Sequence, residues 1–302
     1  MTIRHLILLS LPGGVVLLGA CHKSTNSKPI YDTVTVTKTD TVPPVAPNLT
    51  NGLVLYLPFA NSSMNDLSGG NNAVTAAGGG GLGYDMHGYA NSAYAGNGSG
   101  SYLAISNNGF YTLDTAFSIS MDFMIRSVPY NGGTGSPGLM SLVSLVDPAT
   151  GYGPSFHIGM TVPGMPLVLD VGINPSSNTC DNAGSANAAN ENDTTTFAPQ
   201  VGSWYNLILT FSSGVVTMYI NGQPTILKQA AFTSIIFCPN SNFIVGGWWS
   251  RDPQSLNGAI DELRLYNRTL DAAQIAWLAR NFQPGSTRLG SAKHSAEAPN
   301  LR

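Results

Sequence analysis

Apolar and polar residues alternate in short runs along most of this chain. Leu53, Leu55, Leu57 and Phe59 share one face of an early run, and Phe117, Ile119, Met121, Phe123 and Ile125 share one face of a longer run. Tyr205, Leu207, Leu209 and Phe211 make a third such face, and Val216, Met218 and Ile220 a fourth. A period of two marks half-buried β-strands. Asn221-Gly222 then supplies a turn pair suited to left-handed backbone dihedrals at the end of the fourth strand. From Ala259 to Tyr266 the alternation places Ala259, Asp261, Leu263 and Leu265 on one face and Ile260, Glu262, Arg264 and Tyr266 on the other. Asp261 thereby joins core leucines, a costly place for a carboxylate unless it holds a cation, accepts several hydrogen bonds or lies at the sheet rim. One helix follows. Asp271 reads as its N-cap with Gln274 three residues on, a capping box, and Leu270 and Ile275 are spaced as a hydrophobic staple. Ile275 and Leu278 are the residues that dock it.

Composition agrees with many short strands joined by tight turns, because the 302 residues include 34 glycines and only 10% are charged. A β-sandwich of about 200 to 250 residues is an ordinary single domain, so one domain with tails is the economical count. The predicted fold is all-β, a two-sheet antiparallel jelly-roll sandwich with one short C-terminal helix. The net charge of -3 comes without a basic patch, which argues against a nucleic-acid partner.

Four stretches in order carry a family resemblance. They are GLVLYLPFANSSMNDLSGGNNAV (Gly52 to Val74), YDMHGYANSAYAGNGSGSYLAI (Tyr84 to Ile105), WYNLILTFSSGVVTMYINGQP (Trp204 to Pro224) and LNGAIDELRLYNRTLDAAQIAWL (Leu256 to Leu278). The last resembles the pattern G-x-I-D-E-x-R-I-Y-N-R-x-L, and the set resembles LamG-like jelly-roll domains of the concanavalin A-like lectin and glucanase superfamily. The resemblance covers about residues 52 to 281 and implies a fold more than a function.

The chain around the domain suggests where it works. Arg4 and His5 precede an apolar run from Leu6 to Leu18, the length of a signal-peptide core and short for a membrane span. It ends in Leu18-Gly19-Ala20-Cys21, which resembles a bacterial lipobox; the plainer alternative is an ordinary signal peptide with a stray cysteine. The expected organisation is a lipoprotein signal peptide over residues 1–20, a lipidated Cys21 and tether over 21–51, the LamG-like domain over 52–282 and a disordered tail over 283–302. Lipid on Cys21 would anchor the protein to a membrane without a spanning helix, and the expected location is the extracytoplasmic cell envelope, at the outer membrane. An oxidising compartment favours a disulfide between Cys180 and Cys238, against the alternative of two unrelated thiols. Cys180 lies in a long polar insertion that reads as structureless.

Candidate chemistry is sparse. Related glucanases place two carboxylates on one strand face in an E-x-D-x-x-E or E-x-D-x-E pattern. The three glutamates here, Glu191, Glu262 and Glu297, cannot form it, and Asp122 and Asp170 lack acidic neighbours at the needed alternation. No G-x-S-x-G elbow or paired-histidine metal motif is present. The domain is therefore expected not to be an enzyme. The resemblance implies a structural calcium with Asp66 and Asp261 as ligands, and Asn71 in the loop NDLSGGNNA beside them; equally, Asp66 would cap a turn and Asp261 accept backbone N–H bonds. Trp248, Trp249, Tyr130 and Tyr152 fall in or beside loops where aromatic faces could stack on sugar rings, or else anchor strand ends. The expected function is a non-catalytic glycan- or polysaccharide-binding lipoprotein. The alternative is an adhesion or assembly module that grips a protein partner through the insertion from Asn174 to Phe197, with a glycoside hydrolase third.

Overall fold

The computed structural model describes residues 8–11, 14–17, 46–106, 113–127, 139–146, 156–161, 168–173, 191–195, 197–236, 241–248 and 254–282. Numbered in chain order, β1 (Leu8–Leu11) and β2 (Gly14–Leu17) pair antiparallel as a unit of their own. Among the described residues no helix is long and apolar enough to cross a membrane.

The remaining strands build two antiparallel sheets. One has seven strands in the order β12 (Glu191–Thr194), β11 (Val168–Ile173), β10 (Phe156–Thr161), β9 (Leu139–Val146), β16 (Asn242–Val245), β7 (Tyr102–Ile105) and β4 (Val74–Ala77). The other has eight: β15 (Gln223–Gln229), β14 (Val215–Ile220), β13 (Trp204–Ser212), β8 (Ala116–Ile125), β17 (Asn257–Tyr266), β6 (Ala93–Asn97) and β5 (Gly81–Gly83), with β3 (Leu53–Leu57) also paired to β17. Strands close in sequence are often separated in space, and β17 joins chain segments from both ends of the domain.

The inner faces of the two sheets supply one continuous core. Leu55, Leu57, Phe59, the alternate residues of β8 from Phe117 to Ile125, and Leu207, Leu209 and Phe211 of β13 are fully buried in it. Phe117 ties the layers together, its ring 4.9 Å from Phe156 of the opposite sheet and 5.5 Å from Phe211 of its own. Each such ring contributes about 2 to 3 kcal/mol by leaving water. The Asn221-Gly222 turn joins β14 to β15 with both residues at positive φ, 50° and 78°, as a tight hairpin requires.

The single α-helix among the described residues, α1 (Ala272–Asn281), starts with the predicted capping box: the Asp271 side chain accepts from Gln274 N, and the Gln274 side chain accepts from Asp271 N. Leu270, Ile275 and Leu278 pack with Ile208 and Tyr266 as a second, smaller core. This core lies on the outer face of the eight-stranded sheet, since the flanking residues of β13 and β17 face the main core. The helix thereby leaves a walled space on that face.

Two expectations need correction. Asp261 does not share a face with the core leucines. Asp261 pairs with Asp122 while Arg264 pairs with Ser120, so one extra residue of β17 bulges out, and Glu262 takes φ 52°. Ile260, Leu263 and Leu265 enter the main core, whereas Asp261, Arg264 and Tyr266 turn to the outer face. The insertion is also not wholly without regular structure, because Glu191–Thr194 add to the sheet edge against β11. An edge strand is held by backbone hydrogen bonds, which its polar composition does not impede.

Candidate functional site

The outer face of the eight-stranded sheet carries two polar rows. Asn206 of β13, Asp122 of β8 and Asp261 of β17 stand in register across three neighbouring strands. The next row runs Ile208, Ser120, Arg264 and Tyr56, the last from β3. Both rows exist because each strand devotes its other face to the sandwich core. Asn206, Asp122 and Asp261 are buried, at 3%, 5% and 0% exposure.

Around these rows lies a cavity of about 330 Å³. Tyr56, Ser120, Asp122, Asn206, Glu262 and Arg264 line it from the sheet, and Trp277, Leu278, Asn281 and Phe282 from the end of α1. Met86 and His87 close a third side. The loop that bears them is tied by Asp85, whose Oδ1 accepts from His87 N at 2.8 Å and Tyr89 N at 2.9 Å. Tyr89 is exposed beside His87, their rings 6.4 Å apart.

Hydrogen bonds and charge make the floor rigid. Asn206 Nδ2 donates to Asp122 Oδ1 at 2.8 Å, and the buried Asn206 Oδ1 has no hydrogen-bond partner. Arg264 Nη2 donates to Glu262 Oε2 at 2.6 Å, and Tyr56 OH donates to the same oxygen at 2.9 Å. The guanidinium also sits 4.2 Å above the Tyr56 ring, a cation–π contact. Burial works against the Arg264 charge, yet Glu262 together with Tyr56 and Tyr266 outweighs it and holds the guanidinium above its ordinary pKa. Burial likewise pushes the Tyr56 hydroxyl up, opposed by Arg264 and reinforced by Glu262. Tyr56 and Arg264 thus remain a neutral donor and a fixed cation throughout the physiological range. Groups of this kind, a rigid set of acceptors and donors beside an indole, suit a small polar ligand with an apolar face.

The residues singled out from sequence are distributed differently. Trp248 lies on the outer side of the other sheet, its indole stacked on His157 with centroids 5.0 Å apart and planes 22° apart. One indole face is therefore already occupied. Trp249, Tyr130 and Tyr152 lie outside the described residues, as do Cys21, Cys180 and Cys238. Asp66 is served by protein donors: its Oδ1 accepts from Tyr56 N and Ser68 N, and its Oδ2 from Ser68 Oγ, Asn72 N and Asn72 Nδ2 at 2.7 to 3.1 Å. Such a set does not fit a calcium ion at Asp66, whose lone pairs already face N–H and O–H groups. Asn71 is exposed with φ 51°, a turn conformation. Among the described residues no group of three or more His, Cys, Asp or Glu side chains is arranged to hold a metal.

Sequence reasoning weighed Asp122 only as a catalytic acid and assigned no site role to Tyr56, Asn206, Arg264 or Trp277. Asp122 carried no special signal in sequence, because the outer face of a half-buried strand is ordinarily polar, and its burial at 5% exposure appears only in the fold.

The chain has relatives at the level of family and fold. A family model described as Concanavalin A-like lectin/glucanases superfamily matches residues 97–276, more than half of the chain. No curated protein matches the sequence. Among solved structures, the binding domain of botulinum neurotoxin DC in complex with SialylT is similar, with 16% identity and a TM-score of 0.55 over 78% of this chain and 53% of that one. The same domain in complex with rat synaptotagmin II matches with 15% identity and a TM-score of 0.50 over the same shares. The chain thus spans about half the length of these neurotoxin domains. Domain 4 of AbnA, a GH43 extracellular arabinanase from Geobacillus stearothermophilus, in complex with arabinotriose, matches with 20% identity and a TM-score of 0.52 over 75% of this chain and 98% of that domain.

Proposed function

Since the chain belongs to the Concanavalin A-like lectin/glucanases superfamily, we propose that its sandwich is a non-catalytic glycan-binding module carried on the cell envelope by lipid at Cys21. The observation that carries the reading is the cavity between the eight-stranded sheet and α1, where Asp122, Asn206 and Arg264 present fixed polar groups beside Trp277. Sugars are bound in this way, by hydrogen bonds to a rigid polar set and by packing of the apolar ring face on an aromatic. Relatives of the fold that hold arabinotriose or SialylT lend it weight. The assignment as non-catalytic rests on the engagement of Glu262 with Arg264 and Tyr56, which makes it a poor proton donor or nucleophile.

The test is a glycan and polysaccharide array probed with the detergent-solubilised full chain. Specific binding that is weakened by Trp277→Ala supports the cavity as the site, and binding weakened by Trp248→Ala instead moves it to the other sheet. Silence from a folded sample overturns the reading. The anchor is tested separately: Cys21→Ala should transfer the protein from the membrane to the soluble fraction, and retention in the membrane refutes lipidation there.

A further inference from the structure

We infer that the cavity is a socket for the uncharged end unit of a glycan chain, and that the Tyr89 ring beside it supports the second unit. This deepens the glycan-binding reading and rests on it.

Enclosure selects an end unit. Above the floor of the eight-stranded sheet, three separate chain segments wall the cavity: the end of α1 with Trp277, the loop with His87, and Leu49 from the segment before β3. Each wall is held. Asn48 O accepts from Gln274 Nε2 and Asn51 O accepts from Arg268 Nε at 2.7 Å, which straps the Leu49 segment to α1 and to the turn before it. Asp85 holds the His87 loop through two backbone N–H groups. A unit within a chain needs two exits from its site, whereas an end unit needs one. The volume of about 330 Å³ is at the small end of the range of about 300 to 1,000 Å³ for small-molecule sites, which suits a sugar ring or two rather than a long chain.

The lining describes the unit. Arg264 Nη2 donates to the Glu262 carboxylate at 2.6 Å and Nη1 to the Glu262 carbonyl at 3.2 Å, and the guanidinium lies over the Tyr56 ring. It is thus committed, and no clamp for an acidic sugar. Asp122 is buried and accepts from Asn206 Nδ2 at 2.8 Å, so it is no open counter-charge for a basic sugar either. An ionised group entering such a place loses its hydration without gaining a matching partner. A hydroxyl group does gain one. Asn206 Oδ1 is buried without a hydrogen-bond partner, and a sugar hydroxyl supplies the donor that this acceptor lacks.

A second contact stands beside the cavity. Tyr89 is 47% exposed, and its ring centroid is 6.4 Å from that of His87, which lines the cavity. A second sugar ring that emerges past His87 meets an aromatic face on which it can stack without further enclosure.

The experiment is an array of oligosaccharides that presents neutral, acidic and basic units both at the chain end and in the interior, probed with the detergent-solubilised full chain. The inference expects all bound members to share one uncharged end unit, whatever their interior. Bound members whose end units differ overturn the socket, and a shared end unit that carries a carboxylate or a free amine overturns the charge argument. Either result leaves the glycan reading standing, whereas silence from a folded sample overturns both. Calorimetry then uses two probes, the methyl glycoside of the end unit found and the matching disaccharide. Tyr89→Ala should weaken the disaccharide by about three- to tenfold and leave the methyl glycoside within about twofold. Equal loss for the two probes, or loss for neither, removes Tyr89 as the second contact. The array comparison is made on the unmodified protein, so it stands whether or not Tyr89→Ala folds.

Discussion

Asp261 lies directly across from Asp122 on the outer face of the eight-stranded sheet, and neither carboxylate is more than 5% exposed. The bulge at Glu262 is responsible, because without it Asp261 would continue the inward alternation of Leu263 and Leu265. Two like charges facing each other across a strand pair weaken the pair by about 0.2 to 1 kcal/mol. The pair stands at the edge of the cavity, whose lining includes Asp122 but not Asp261.

Asp261→Asn should therefore leave the protein as stable as before or more so, by up to about 1 kcal/mol. Asn can still accept the 2.8 Å bond that Asp261 Oδ1 takes from Glu262 N. Urea denaturation measures the change. A clear loss of stability would mean that the Asp261 charge is needed by the folded state itself.

This relationship also marks the boundary of what could be read from the residues alone. The capping box at Asp271 and Gln274, the staple of Leu270 and Ile275, and the Asn221-Gly222 hairpin are local patterns, and each occurs as its spacing implies. The faces of β8 and β13 follow from simple alternation. A bulge breaks alternation by one residue and has no compositional mark, so Asp261 was placed on the wrong side. The floor of the cavity depends on strand order, with β13, β8, β17 and β3 side by side although Tyr56 and Arg264 are far apart in sequence. Periodicity carries no information on that order.

Arg264→Ala should cost about 2 to 4 kcal/mol. The guanidinium satisfies Glu262, covers Tyr56 and is only slightly exposed, at 14% against 21% for Glu262. Removing it leaves the Glu262 carboxylate in a poorly solvated place without its cation, beside the Tyr56 hydroxyl. Arg264→Lys should recover part of the loss, because an ammonium keeps the charge but cannot reproduce the planar fork. Equal stability of the Ala and Lys variants would show that packing rather than charge is what Arg264 provides.

Alkali should destabilise the fold over a defined range. Burial pushes the Tyr94 hydroxyl up to about 12 from its ordinary 10.0, and Tyr266 is raised by burial as well. Below pH 10 these hydroxyls are neutral in both states and their stabilising contribution is fully present. As the pH rises from 10 towards 12 the unfolded chain ionises first, and stability falls by up to about 3 kcal/mol for Tyr94 alone. Chemical denaturation between pH 9 and pH 12 should show the decline, and Tyr94→Phe should make it shallower. An unchanged slope in that variant would remove Tyr94 as a source.

Asp66→Ala should loosen the first loop. Its carboxylate gathers Tyr56 N, the Ser68 backbone and hydroxyl, and the Asn72 backbone and side chain. Losing that acceptor should cost about 2 to 4 kcal/mol, with faster amide exchange at Ser68 and Asn72. A chelator added to the unmodified protein should leave the melting curve in place, because protein donors already occupy this carboxylate. A drop of several degrees would show that a removable cation contributes to the fold.

The wall of the cavity depends on how α1 is held at its start. Asp271 accepts from Gln274 N at 2.8 Å, and Gln274 Oε1 accepts in return from Asp271 N at 3.1 Å and from Arg268 Nη1 at 2.9 Å. Gln274 Nε2 also donates to Asn48 O, beside Leu49 of the cavity lining. Asp271→Ala removes the cap alone and should cost about 1 kcal/mol. Gln274→Ala removes the cap partner and both tertiary links, so it should cost more and should weaken ligand binding more, because Trp277 and Leu49 both lose a fixed position. Stability and affinity measured on the two variants separate these effects. If both destabilise while affinity for an array-selected glycan is unchanged, the docking of Ile275 and Leu278 holds the wall and the cap contributes to folding only.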